Sequence, residues 1–329
     1  MAIHELGEEA VSFTGYQVGI VTDPEHTKAR ILDIDSKKIK AALQKHGIVI
    51  VAGFQGKTTK NEITTLGRGG SDLTAVALAA ALKADQCAIY TDVDGVFTTD
   101  PRIEPKAQKI DVISYEEMLE LASLGAKVMH SRSIEVANKY NVPIYVANSK
   151  KEVVGTLITK EVKGMEQVLV RGIALNKNEA KITIFGVPDK PGVAATIFQI
   201  LAKDKVNVDM IIQNKTSSDE TDLSFTIAQS ELKKALPIVE KARKKVKARS
   251  VVADDAIAKI SVVGVGMKSH AGVAYNVFSA LAEAKINIDM ISTSEIKISC
   301  VIGITNAEKA VKVLHKKFNL DKKQKAVKK

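Results

Sequence analysis

The chain has no tryptophan, only two cysteines and seven prolines, and aromatic residues make up 4% of its 329 residues. Two thiols, Cys87 and Cys300, cannot build a disulfide framework and fit a reducing compartment. No run approaches roughly 18 uninterrupted apolar residues, so a membrane span is excluded. The first residues, Met1–Glu5, carry neither a basic nor an apolar signal region, so a cytoplasmic protein is expected. The scarcity of aromatics also removes the stacking platforms that hold single-stranded nucleic acids.

A net charge of +10 is nevertheless present, and its location decides its meaning. Lys233–Arg249 holds eight basic residues against one acid, and Thr305–Lys329 nine lysines against two acids. The rest of the chain has 31 basic and 35 acidic residues. The excess is therefore one solvated helix face and a tail, and no nucleic-acid partner is expected.

What the sequence does contain is ordinary globular composition, 45% apolar and 26% charged, at a length for two or three domains. The first half alternates strand-like runs (Ile48–Phe54, Ala88–Tyr90, Ile144–Val146) with helical ones (Leu73–Ala84, Tyr115–Leu124). That alternation predicts an α/β fold with a central, mostly parallel sheet between helices. The opening Met1–Glu9 reads as half of an amphipathic helix with no strand before it, as expected if part of the domain lies upstream. Beyond a Lys/Glu-rich linker, Gly192–Ile211 aligns without gaps to Gly272–Ile291 with 11 of 20 positions identical. Each copy sits in a β-α-β-β-α(-β) pattern, a duplicated ferredoxin-like βαββαβ domain. The expected boundaries are 1–160 for the α/β domain, 161–171 for the linker, 172–250 and 251–320 for the repeats, and 321–329 for a basic tail.

Two motifs are decoys. Gly53-Phe54-Gln55-Gly56-Lys57-Thr58 follows a strand, but a phosphate loop needs four residues between its glycines, not two. Asp92-Val93-Asp94-Gly95 lacks the acid a calcium loop needs at its twelfth position, which is Ile103. His130 has no matching His/Cys cluster, so no protein metal site is expected.

The stronger signal is Arg68-Gly69-Gly70-Ser71-Asp72 running into the Leu73 helix. Glycines allow close backbone approach, a helix N-terminus offers free N–H groups to an anion, and Arg68 can grip a carboxylate. An acidic small molecule fits this turn; Ser71 or Asp72 could also be a simple helix cap. A second signal, Tyr90 to Arg102, lies at the C-terminal end of a strand, where open α/β sheets bind ligands. Arg102 and Lys127 are candidates for phosphate charge. In the repeats, Asn207/Asn287 and Asp209/Asp289 stand in register after the helix, where they either shape a turn or meet an amino acid.

The stretch Ile63–Asp85 followed by Ile89–Arg102 resembles aspartate kinase, of the amino-acid kinase fold, and the repeat resembles that enzyme's paired ACT regulatory domains. The resemblance implies ATP-dependent phosphorylation of the L-aspartate side chain to 4-phospho-L-aspartate, the first step of lysine, threonine and methionine biosynthesis. It implies that Arg68, Gly69, Gly70 and Ser71 hold aspartate and that Asp72 orients a catalytic lysine. Thr91, Asp92, Phe97, Arg102 and Lys127 would line the ATP site, with Mg²⁺ on the phosphates. Threonine is implied near Asn207, Asp209 and Gln213, and lysine near Asn287, Ile288, Ser294 and Glu295. A homo-oligomer through the ACT domains is implied as well. The chain departs from the family at Ser131, where proline is usual, and at Phe97, where tyrosine is frequent. The family's Lys-Phe/Tyr-Gly-Gly motif does not occur in these residues. Phosphoryl transfer rests on such charge, so negligible turnover is expected of this stretch alone. The alternative expectation is a non-catalytic, truncated paralogue that senses amino acids as a regulatory subunit.

Overall fold

β-Branched runs bounded by turn residues make strands in the first half, and the Ala/Leu-rich or amphipathic stretches between them make helices. A computed structural model describes residues 1–125, 128–160, 169–215, 219–268, 270 and 272–322. These fall into two compact units, residues 1–98 with 108–160 and residues 99–107 with 169–322.

The first unit runs α1 (Ala2–Glu5), β1 (Ala10–Thr14), β2 (Ile20–Thr22), β3 (Ile31–Ile34), α2 (Lys37–His46), β4 (Ile48–Ala52), β5 (Gln55–Lys57) and β6 (Ile63–Thr65). It continues with α3 (Gly70–Leu82), β7 (Cys87–Thr91), β8 (Val112–Ser114), α4 (Tyr115–Ser123), α5 (Ser131–Tyr140), β9 (Ile144–Asn148) and β10 (Thr156–Thr159). β1 and β4 are parallel, from Ala10 opposite Ile48 to Thr14 opposite Ala52. β3–β2–β5–β6 form one small sheet and β7–β9–β10–β8 another, parallel at β7/β9 and β8/β10.

α3 has no proline and, after Asp72 in its first turn, no charged residue, and it buries Leu73, Thr74, Val76, Ala77 and Ala79. α4 is started by a capping box, Ser114 with Glu117. α5 starts on His130 and ends at Asn141 in the left-handed region. The half-helix expected over Met1–Glu9 shrinks to α1: Gly7 turns at φ +84°, Leu6 is exposed, and Ala10 opens β1. On β7, Ala88 and Tyr90 face solvent. Among the described residues, no helix is long and apolar enough to cross a membrane.

The second unit consists of β11 (Gly172–Pro188), α6 (Val193–Lys203), β12 (Ile211–Lys215), β13 (Glu220–Ile227), α7 (Leu232–Val246), β14 (Ser250–Val263), α8 (Val273–Glu283), β15 (Met290–Thr293), β16 (Lys297–Gly303) and α9 (Ala307–Lys317). One six-stranded antiparallel sheet runs β12–β13–β11–β14–β16–β15. Its middle pair is long, and each long strand serves both repeats. Gly172–Asn176 pairs with Lys259–Val263, and after a bulge Lys181–Phe185 pairs with Ser250–Asp254. Ile173 accordingly packs in the core of the second repeat with Ile260, Leu281 and Leu314, whereas Ile182 and Ile184 pack in the first with Phe225 and Val239. Each buried aliphatic or aromatic side chain of this kind contributes about 1.5–3 kcal/mol. A division at residue 250 thus falls at the head of a strand shared by both repeats. Val170 already belongs to the second core, as does Leu320. The exposed lysines of α7 are a solvated face.

Candidate active site

The turn before α3 is built by glycine. Gly67 and Gly69 have φ of +81° and +70°, a region that costs little only without a Cβ. Gly69 is the N-cap residue and α3 has no side-chain cap, so neither Ser71 nor Asp72 caps it. The Gly70 N–H donates back to the Gly67 carbonyl (2.9 Å), which leaves the N–H groups of Ser71 and Asp72 without a hydrogen bond among the described residues, at the positive end of the dipole. Arg68 and Ser71 are exposed beside them, and Arg68 has no hydrogen bond or ion pair among the described residues.

Residues distant in sequence hold that turn. Arg132, at the start of α5, donates from its two terminal nitrogens to the carbonyls of Leu66 (2.9 Å) and Ala29 (2.8 Å). Thr74 donates to the Gly70 carbonyl (2.7 Å) and accepts from the Phe54 N–H (3.0 Å). The Phe54 carbonyl takes the Leu66 N–H (2.9 Å). The Gly53–Thr58 stretch is therefore a strand-end turn leading into β5, clamped to α3, and not a phosphate loop. His130 lies against Gly69, with its Nδ1 accepting the Arg132 N–H (3.3 Å).

Asp72 is half-buried, and that burial raises its carboxyl above the usual range, with the charge of His130 opposing the rise. Burial and the neighbouring Asp72 charge push the Cys87 thiol up to about 11. A carboxylate is thus kept at the base of a turn that otherwise favours anions.

The second cluster sits at the C-terminal ends of the parallel strands β7 and β9, where Thr91 lies opposite Asn148. Thr91 donates its hydroxyl proton to Asp92 (3.1 Å). Asp94 accepts from Asn148 Nδ2 (2.7 Å) and pairs with Lys151 (3.2 Å). Asp92 is exposed and Phe97 half-buried, bridged to Lys109. Arg102 forks onto Asp100 (2.7 Å) in the 99–107 segment, which belongs to the second unit. Lys127 lies outside the described residues. Asn148, Lys151, Arg132 and Thr74 were not singled out from the sequence. Strand pairing or helix packing brings them to the site, which no local pattern announces.

In the ACT-like unit, Asn207, Asp209, Asn287, Ser294 and Glu295 are exposed, and Ile288 packs partly into the second core. Gln213 donates to the Thr221 hydroxyl (3.4 Å). Asp209 pairs with buried Lys259, and Asp289 with Lys181 (3.5 Å).

Residues 1–148 match the amino acid kinase family, and residues 182–242 and 260–318 match the ACT domain. The fold and site thus define an amino-acid kinase joined to a tandem ACT regulatory unit. The aspartate kinase of Pseudomonas putida is 56% identical over 322 residues, 98% of this chain and 78% of that protein. Among solved structures, E. coli aspartokinase III in complex with aspartate and ADP, in its R-state, superposes with a TM-score of 0.81 at 30% identity, covering 96% of this chain and 71% of that one. The same enzyme in complex with lysine and aspartate, in its T-state, gives 0.74 at 30% identity with the same coverage. The chain belongs to the aspartate kinase family.

Proposed function

We propose that the turn before α3 is where this aspartate kinase holds its acceptor. Arg68 grips a carboxylate of L-aspartate, and the N–H groups of Ser71 and Asp72, beyond the Gly69–Gly70 turn, receive the anion. The observation that carries the reading is the uncapped α3 N-terminus beside an exposed Arg68 that has no hydrogen bond or ion pair among the described residues. The side-chain carboxylate then accepts the γ-phosphoryl group of ATP, giving an acyl phosphate. Asp72 is the catalytic group, orienting a cationic side chain at the transferring phosphoryl.

Thr91, Asp92 and Phe97 at the end of β7 receive the nucleotide, and Lys151, held by Asp94, adds positive charge there. Arg102 and Lys127 complete the set that the family resemblance implies. Among the described residues no group of three or more acids, histidines or cysteines could cage a metal. Mg²⁺ would be carried on the phosphate oxygens, whose charge it would neutralise. Two buried free thiols fit a cytoplasmic enzyme.

The ACT unit supports feedback control, with threonine at the Asn207/Asp209/Gln213 turn and lysine at the Asn287/Ile288 turn with Ser294 and Glu295. Its sheet ends in edge strands β12 and β15, with Ile211 and Ile291 exposed, which supports a homo-oligomer. Near-full-length likeness to an aspartate kinase favours the enzyme over a sensing subunit alone.

Calorimetry with aspartate and ADP tests the site. Both ligands bind the wild-type protein, and Arg68→Ala loses aspartate while keeping ADP. Loss of ADP instead of aspartate would overturn the assignment.

A further inference from the structure

The two repeats exchange ion pairs. Lys181 on β11 and Lys259 on β14 occupy matching positions in the first strands of the two repeats. Each reaches past its own repeat. Lys259 pairs with Asp209 of the first, and Lys181 with Asp289 of the second. The aspartates also match: the Asp209 N–H donates to Thr226 (2.9 Å) and the Asp289 N–H to Val301 (2.8 Å). On the same sheet the hydroxyl pairs Thr183–Ser224 (2.9 Å) and Ser261–Ser299 (2.8 Å) repeat the symmetry.

The symmetry fails in one respect. Lys259 is 2% exposed and has a second carboxylate, Glu179, at 2.7 Å, itself 4% exposed and held by Asn176 Nδ2 at 2.8 Å. The position matching Glu179 in the second repeat is Ile257. Lys181 therefore has Asp289 as its one ion-pair carboxylate among the described residues, at 3.5 Å, with both side chains about a quarter exposed. A buried lysine between two carboxylates does not leave, because it would strand charge away from water. A single, longer pair that is about a quarter exposed exchanges more readily.

We propose that Lys181 is an internal competitor at the Asp289 turn. Its ammonium neutralises Asp289 until the ammonium of an α-amino acid displaces it, while the Asp209 turn, locked by Lys259, does not exchange. No covalent step is involved; one ammonium replaces another on a carboxylate. Because Lys181 lies on the central strand of the first repeat, ligand binding in the second repeat releases a tie between the two. The inference rests on the effector reading given above and narrows it to one of the two turns.

Calorimetry on the 329-residue protein with lysine and with threonine, singly, decides the matter. Lys181→Met keeps the stem and removes the competing charge, so the amino acid should bind about two- to fivefold tighter. Asp289→Asn should lose binding. In the unmutated protein, saturating amino acid should speed acetylation of Lys181 and leave Lys259 unreacted, as mass spectrometry would show. Unchanged or weaker binding by Lys181→Met, or acetylation of Lys259 in step with Lys181, overturns the proposal alone. Absence of heat with either amino acid in wild type and Lys181→Met overturns the effector reading, and the competitor with it.

Discussion

A Cβ placed on Gly69 would lie 2.4 Å from the Cβ of His130, closer than real Cβ atoms approach anything. The N-cap of α3 and the N-cap of α5 are thus packed directly on one another. The contact explains why glycine stands at a helix start where serine or aspartate is ordinarily preferred.

Gly69→Ala should therefore do two kinds of damage. The left-handed backbone and the collision together should cost about 1–3 kcal/mol of stability. Aspartate binding should weaken because the first turn of α3 is displaced. A urea midpoint equal to that of wild type would show that the two helix starts are not in contact.

Arg132 and Arg68 should part company under mutation. Arg132→Lys loses the fork that ties Leu66 and Ala29 and should destabilise the protein by about 1.5–3 kcal/mol. Arg68→Ala removes an exposed side chain and should change stability by no more than about 0.5 kcal/mol. Unfolding curves and aspartate titrations on the same samples separate scaffold from ligand contact. Equal destabilisation by both would contradict the assignment.

The buried pair Lys259–Glu179 should be costly to break singly and cheap to remove whole. Lys259→Met leaves Glu179 buried without its cation and should cost about 3–5 kcal/mol. Adding Glu179→Leu should recover most of that loss, because the uncompensated charge is gone. A double-mutant cycle measures the difference, and additive losses would count against coupling.

Asp72 sets a pH dependence of definite sign. Burial raises its carboxyl in the folded protein, so the native state binds that proton more tightly than the unfolded chain. Its contribution to stability is full in acid and is lost as pH rises through the folded value. Asp72→Asn should match wild type near the ordinary aspartate range and become progressively more stable than it toward neutral pH. Urea midpoints between pH 4.5 and 7.5 would test this, and a gap that narrows with rising pH would refute it.

Much of the architecture was legible from local signals. The glycine-rich turn before α3, the alternation of strand and helix, and the repeat with its matched Asn and Asp all act over a few residues. Periodicity, capping and turn chemistry report them directly. The small strands β2, β3, β5 and β6 and the helix α2 carry weak local patterns and were not foreseen. The half-helix expected over Met1–Glu9 failed for the converse reason, since Gly7 ends it and β1 takes the residues from Ala10 on.

The sequence by itself determined which segments turn, which bury an apolar face, and that one unit is present twice. Only the tertiary structure decided that β11 and β14 each serve both repeats, that Arg132 braces the acceptor turn, and that each repeat's lysine meets the other repeat's aspartate. These relations depend on strand register and on which of two alternating faces a side chain occupies. A slip of one residue would reverse every such face. Register is fixed by the summed packing of both cores, a quantity no short window of sequence contains.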